Sequence, residues 1–188
     1  VGTYEGAYGA GIVANDTYTS IEAVLGNGRS DTIVGNSANN VLKGLHGSDT
    51  IRGGAGNDFI LGGGGYVSCG EGEDNNLFGD DGNDALIGSW GSDSLSPGQG
   101  NDVLQGFGGN DSFIFKPGED GVNRIVDFGY EGDPDKIDLA AFGAVSVLVD
   151  EYDGGAILEI VGHNQKIILD GINKDAENSL IFTGSLII

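Results

Sequence analysis

Apolar residues return every nine positions along the middle of the chain, at Ile33, Leu42, Ile51 and Ile60, then after one longer step at Leu77, Leu86, Leu95, Leu104 and Phe113. Each stands in the same frame of glycine and small polar residues. From Gly26 the units read GNGRSDTIV, GNSANNVLK, GLHGSDTIR, GGAGNDFIL, a broken GGGGYVSC, GEGEDNNLF, GDDGNDALI, GSWGSDSLS, PGQGNDVLQ and GFGGNDSFI. Early glycines permit tight turns in which one backbone packs on the next. The last three residues form a short strand whose middle, apolar member points inward. Two units, read turn-strand-turn-strand, predict one coil of a flattened, all-β parallel roll. The inward residues then make two facing ladders.

Composition narrows what such a roll can be. With 37 glycines among 188 residues the chain is too glycine-rich for an ordinary globule, yet its fixed period argues against a flexible linker. The 29 acidic and 8 basic residues give a net charge of −21, which repels nucleic acid and anionic membranes and makes the chain repel itself without counter-cations. No apolar run is long enough to span a membrane. Acidic surfaces usually serve solvation, but Asp31, Asp49, Asp58, Asp84, Asp93, Asp102 and Asp111 all fall at the sixth place of a unit. Carboxylates beside carbonyls bared by a tight turn are hard oxygen donors, which suit Ca²⁺. Cys69 is the only cysteine, so no internal disulfide supports the thin core. At about 1.5 to 3 kcal/mol per buried aliphatic side chain, that core is small against the ordering cost of so much glycine. Metal binding is therefore expected to contribute to folding.

The units resemble the RTX nonapeptide GGxGxDxUx, a calcium-binding β-helix repeat. The resemblance implies a right-handed parallel β-roll with an ion between the turns of units n and n+2, held by both sixth-place side chains and backbone carbonyls. Counting units by parity places Asp31, Asp49, Asp84 and Asp102 on one edge, and Asn40, Asp58, Asn75, Asp93 and Asp111 on the other. Two-carboxylate pairs are then Asp31 with Asp49, Asp84 with Asp102, and Asp93 with Asp111. Asp58 falls between Asn40 and Asn75. Continuing the frame puts Asp120 in register with Asp102, and sites touching the broken unit are expected to be empty.

Outside the array the signals are weaker. Ser20 to Gly26 resembles the SIExxxG stretch that introduces such repeats, giving an extension and leading strand over 1–25 and a roll over 26–122. Arg124 to Phe128 and Asp133 to Leu139 resemble the IxDF…DxIDL segment that follows the roll in serralysin-type proteases. By that resemblance Asp127, Asp133, Asp135 and Asp138 supply one more calcium site or close the open end. Short antiparallel strands are expected over 144–149, 156–161 and 166–169, in a cap spanning 123–188. The apolar tail from Leu180 fits either an uncleaved type I secretion signal or a last core strand. His46 and His163 read as turn residues.

No catalytic constellation is present: HExxH, GxSxG and a Walker loop are absent. The chain does not begin with Met and reads as a piece of a longer protein. The expected function is a calcium-driven folding and export module, with the type I secretion apparatus and an upstream domain as partners, on a secreted bacterial protein. The competing reading is a polysaccharide-binding module resembling the R-modules of alginate epimerases. Its support is thin, because Lys43 and Arg52 fall on opposite faces and Arg124 and Lys136 lie beyond the array. Phe59, Leu61, Phe78 and Ile114 are expected to form one outward apolar strip. Either the terminal segments cover that strip or an upstream domain docks on it.

Overall fold

The computed structural model describes residues 3–5, 23–63, 72–129, 134–152, 155–170 and 181–183, with backbone only for 3–5, 151–152 and 181–183. Strands are numbered along the chain. They begin with β1 (Thr3–Glu5), β2 (Ala23–Leu25), β3 (Thr32–Val34), β4 (Val41–Leu45), β5 (Thr50–Ala55) and β6 (Phe59–Gly63). The array continues as β7 (Asn76–Asp81), β8 (Ala85–Ser89), β9 (Ser94–Gln99), β10 (Val103–Phe107) and β11 (Ser112–Ile114). Beyond it come β12 (Gly121–Ile125), β13 (Lys136–Asp138), β14 (Val147–Tyr152), β15 (Gly155–Ile160), β16 (Gln165–Asp170) and β17 (Ile181–Thr183).

Consecutive strands of the array alternate between two sheets, as a roll requires. One runs β1-β2-β4-β6-β8-β10-β12-β16-β15-β14 and the other β17-β13-β11-β9-β7-β5-β3. All pairs within the array are parallel, and each apolar eighth-place residue sits beside its counterpart two units on, such as Leu42, Ile60, Leu86 and Leu104 in one sheet. The facing ladder is Ile33, Ile51, Leu77, Leu95 and Phe113. All nine expected inward residues are at most 3% exposed, so the nine-residue period is a burial period.

The broken unit changes the map. β6 begins at Phe59 and β7 at Asn76, so one step of the coil takes seventeen residues instead of nine. Units after it therefore swap sheets relative to a simple parity count. Phe59 and Leu61 lie on the outside of one sheet, whereas Phe78 and Ile114 lie on the other, so the expected single apolar strip is split between two faces. Phe78 is instead covered by the Arg52 guanidinium, 4.7 Å from its ring centre.

At the C-terminal end the antiparallel hairpins join the roll's own sheet. β16 pairs parallel with β12, then β15 and β14 follow antiparallel, so the array's ladder continues from Leu104 into Ile125, Leu169 and Ala156. His163 sits in the β15–β16 turn with its ring edge-on to Phe142 at 4.8 Å.

Candidate metal centre

Sixth-place side chains stack into one column along each edge of the roll, buried although most are acids. In each column the lower residue's backbone N–H donates to the next side chain's Oδ1. The first column runs Asp31, Asp49, Asn75, Asp93, Asp111 and Asp135, through bonds of 2.8, 2.9, 2.7, 2.8 and 2.9 Å. The second runs Asn40, Asp58, Asp84, Asp102 and Asn123, through bonds of 2.7, 2.8, 2.8 and 3.0 Å.

These columns correct the parity map in three places. Asp84 and Asp102 share an edge with Asp58 and not with Asp49, because of the seventeen-residue step. Asp58 therefore has a carboxylate neighbour, Asp84, while Asn75 stands between Asp49 and Asp93. Asp120 is not in register with Asp102: it is exposed, and its N–H bonds Gln99 Oε1 at 3.0 Å. The turn at Lys116 to Glu119 adds three residues, and Asn123 takes the place instead. The pairs Asp31 with Asp49, Asp84 with Asp102, and Asp93 with Asp111 stand together as the register anticipated.

Of the acids beyond the array, Asp135 joins the first column and also accepts the Gly129 N–H at 2.7 Å. Asp127 accepts the N–H groups of Gly106 and Phe107 at 3.1 and 2.9 Å. In earlier coils a first-place N–H donates to a carbonyl of the next coil, as Gly26 does to Lys43 and Gly35 to Arg52. Asp127 thus supplies by side chain what a further coil would supply by backbone. Asp138 lies off both columns, its Oδ1 accepting the Ala140 N–H at 2.9 Å. Asp133, Cys69 and the apolar tail after Thr183 lie outside the described residues.

The turns fall into two classes, which the nine-residue pattern does not announce. In the units of Asp49, Asp58, Asp84, Asp102 and Asp111, the second and fourth residues both have positive φ: Leu45 and Gly47, Gly54 and Gly56, Asp80 and Gly82, Gly98 and Gly100, Phe107 and Gly109. In these same units the carboxylate Oδ2 is buried with no hydrogen-bond partner. In the units of Asp31, Asn40 and Asp93, the second residue has ordinary φ. There Asn27, Asn36 and Ser89 donate their N–H to the sixth-place side chain at 2.8, 2.8 and 2.5 Å. The first class is open toward the neighbouring coil and the second is closed on itself. Positive φ at Leu45 and Phe107 is costly for bulky residues, roughly 1 to 3 kcal/mol each, and such strain persists where the surroundings impose it.

The open turns have the chemistry of a hard-cation site. Beside the orphaned oxygens of Asp49, Asp58, Asp84 and Asp111 lies the first-place glycine of the same unit, where space is too small even for a Cβ, while Pro97 holds that place in the unit of Asp102. A carbonyl of the next coil lines the same spot: Gly62 O opposite Asp49, Gly79 O opposite Asp58, and Pro97 O opposite Asp84. Among the described residues no three His, Cys, Asp or Glu side chains converge on one point, so carboxylate and carbonyl oxygens must share the work. Burial drives the carboxyls up: Asp58, Asp84 and Asp93 to about 6, Asp49 and Asp102 to about 7, and Asp111 to about 8, with neighbouring acids adding to the rise at Asp49, Asp58, Asp84, Asp102 and Asp111. An unmet, desolvated anion facing carbonyl oxygens is a poor arrangement for anything but a cation.

The family model for the RTX calcium-binding nonapeptide repeat matches residues 25–60, 70–104 and 87–122. The array is thus made of RTX repeats, and these repeats bind Ca²⁺. No curated protein matches the chain. Among solved structures it is similar to the extracellular lipase LipA from Serratia marcescens, with 18% identity and a TM-score of 0.45 over 85% of this chain. The chain spans 39% of that lipase's length.

Proposed function

We propose that this chain is a calcium-driven folding module of a secreted protein, and that its ions sit at the open turns. Asp49, Asp58, Asp84, Asp102 and Asp111 are the central ligands, each bridging toward the coil beside it. Asp31, Asn40, Asn75, Asn123 and Asp135 complete the columns, and Asp127 closes the end of the array. The observation that carries this reading is the set of five buried Oδ2 atoms without a partner, found among the described residues only where the turn is open.

Export follows by linkage. A ligand that binds only the folded state stabilises it by an amount set by its concentration relative to its dissociation constant. Extracellular calcium modules work at about 10⁻⁴ to 10⁻³ M. At the low calcium of the cytosol such a chain stays unfolded, ready for passage through a type I secretion channel, and outside it folds. A rigid roll then supports the domain that precedes it, and catalysis belongs to that other region of the protein.

The test is a calcium titration of the metal-free chain followed by far-UV circular dichroism, with magnesium as control. The expected result is a cooperative gain of β signal between about 0.1 and 1 mM calcium and none with magnesium. A chain fully folded in chelator would overturn the export mechanism.

pH should move the midpoint in a fixed direction. The open-turn carboxyls keep protons in the metal-free fold to about 6 to 8, whereas ordinary Asp loses them near 3.8. The metal-free fold is therefore favoured below about pH 4 and loses stability as pH rises toward 8, because over that range it binds more protons than the unfolded chain. The unfolded metal-free chain has already lost these protons at about pH 6 to 8, so the calcium midpoint is expected to hold over that range and to rise as pH falls through about 4, where the unfolded carboxyls take up protons that calcium must displace. A midpoint that already rises between about pH 8 and 6, with protons released on binding, would mean that calcium fills a preformed metal-free fold.

A further inference from the structure

Asp93 is the one array aspartate beyond the first coil whose turn is closed, and the groups that close it are specific to that place. Both of its oxygens are occupied. Oδ2 accepts the Ser89 N–H at 2.5 Å, and Oδ1 accepts both the backbone N–H and the side-chain Nδ2 of Asn75, at 2.7 and 2.9 Å. The same Nδ2 reaches Ser89 Oγ at 3.1 Å and the Glu73 carbonyl at 3.0 Å, and Ser89 Oγ donates to that carbonyl at 2.9 Å. Asn75 and Asp93 are each 1% exposed.

The amide cannot simply be turned round to offer its oxygen to an ion. Asn75 Oδ1 accepts the Asp49 N–H at 2.9 Å, which fixes Nδ2 on the side of Asp93 and Glu73. With the oxygen there, it would face the Asp93 carboxylate and the Glu73 carbonyl, both acceptors, with only the Ser89 hydroxyl able to donate to it, and that hydroxyl already donates to the Glu73 carbonyl. So where the open turns leave a carboxylate oxygen waiting beside carbonyls, this rung supplies N–H and O–H donors to the same kinds of atom.

We propose that the Asn75–Ser89–Asp93 rung folds without calcium, its amide and hydroxyl standing where an ion stands in the open turns. The ions on this edge then form two groups, around Asp49 and around Asp111, separated by a rung that metal does not hold. It is the rung that follows the seventeen-residue step. There a hydrogen-bonded lock fixes the register across the interruption before any ion binds. The inference rests on the reading that open turns hold the calcium.

The deciding experiment counts bound calcium by native mass spectrometry on the whole chain. Asp84→Asn, at an open turn, is expected to lose at least one ion, and Asp93→Asn to lose none. Asn75→Asp combined with Ser89→Gly restores a two-carboxylate column with no competing hydroxyl and is expected to gain one ion. Loss of an ion from Asp93→Asn overturns the proposal, as does a double variant that gains none. If Asp93→Asn does not fold, the gain variant decides alone. A wild-type chain that binds no calcium overturns the underlying reading instead, so the two failures are distinct.

Discussion

Gly82→Ala is expected to cost about 3 to 5 kcal/mol at saturating calcium, combining left-handed strain with an overpacked contact between coils. Gly82 has φ of +150°, and a Cβ there would collide with the Gly56 carbonyl oxygen of the coil below. Its own N–H donates to Gln99 O at 2.9 Å, and the Gly56 N–H donates to Asp81 O at 2.8 Å, so both sides of the residue are committed. Moving the backbone to admit a methyl would push neighbouring coils apart at the turn where Asp58 and Asp84 face each other. Thermal unfolding in calcium checks the expectation, with Gly28→Ala as control. Gly28 has open space where its Cβ would lie and no positive φ, and its substitution should change stability by less than about 0.5 kcal/mol. Equal melting of Gly82→Ala and wild type would mean that the turns do not stack as described.

That contrast shows which features of the chain were legible in advance. Burial at the eighth place was readable residue by residue, because an apolar side chain in a three-residue strand has only one inward position. The sixth-place acids were readable as a column for the same reason. Their pairing across the broken unit was not. Nothing in GGGGYVSC states whether it occupies a coil, and its seventeen-residue step turned the even units of one half into neighbours of the odd units of the other. Asn123 did carry a signal, since Asn123-Arg124-Ile125 repeats the sixth-to-eighth pattern three residues late. The turn at Lys116 hid it.

The open and closed turns were the least legible feature. Gly54 and Gly98 announce positive φ at the second place, but Leu45, Asp80 and Phe107 adopt it too, against their own preference. The closed turns carry Asn27, Asn36 and Ser89 there, small polar residues suited to local hydrogen bonding. A bulky second-place residue is thus no guide by itself. What distinguishes the classes is where the coil's N–H groups point, and that depends on contacts with the next coil. Local propensity and tertiary packing disagree at Leu45 and Phe107, and the disagreement lies at turns with an unmet carboxylate. Calcium is the term that can offset both the strain and the buried charge.

Leu86→Ala measures how many ions fold the chain together. Leu86 is fully buried between Ile60 and Leu104 on one ladder, and its truncation is expected to cost about 3 kcal/mol, within the range for leucines in well-packed cores. In a solenoid each coil touches only its neighbours, so no distant contact makes up the loss. The chain regains stability only by taking more calcium. If one ion controlled folding, about 3 kcal/mol would shift the calcium midpoint by about 150-fold. If five ions bind together with the fold, the same cost is divided among them, and the midpoint moves only about threefold. The expected result is the small shift, with the transition as steep as in wild type. A shift approaching the larger figure would mean that the open turns fill one at a time, and the two edges of the roll would then have to be treated as independent binders.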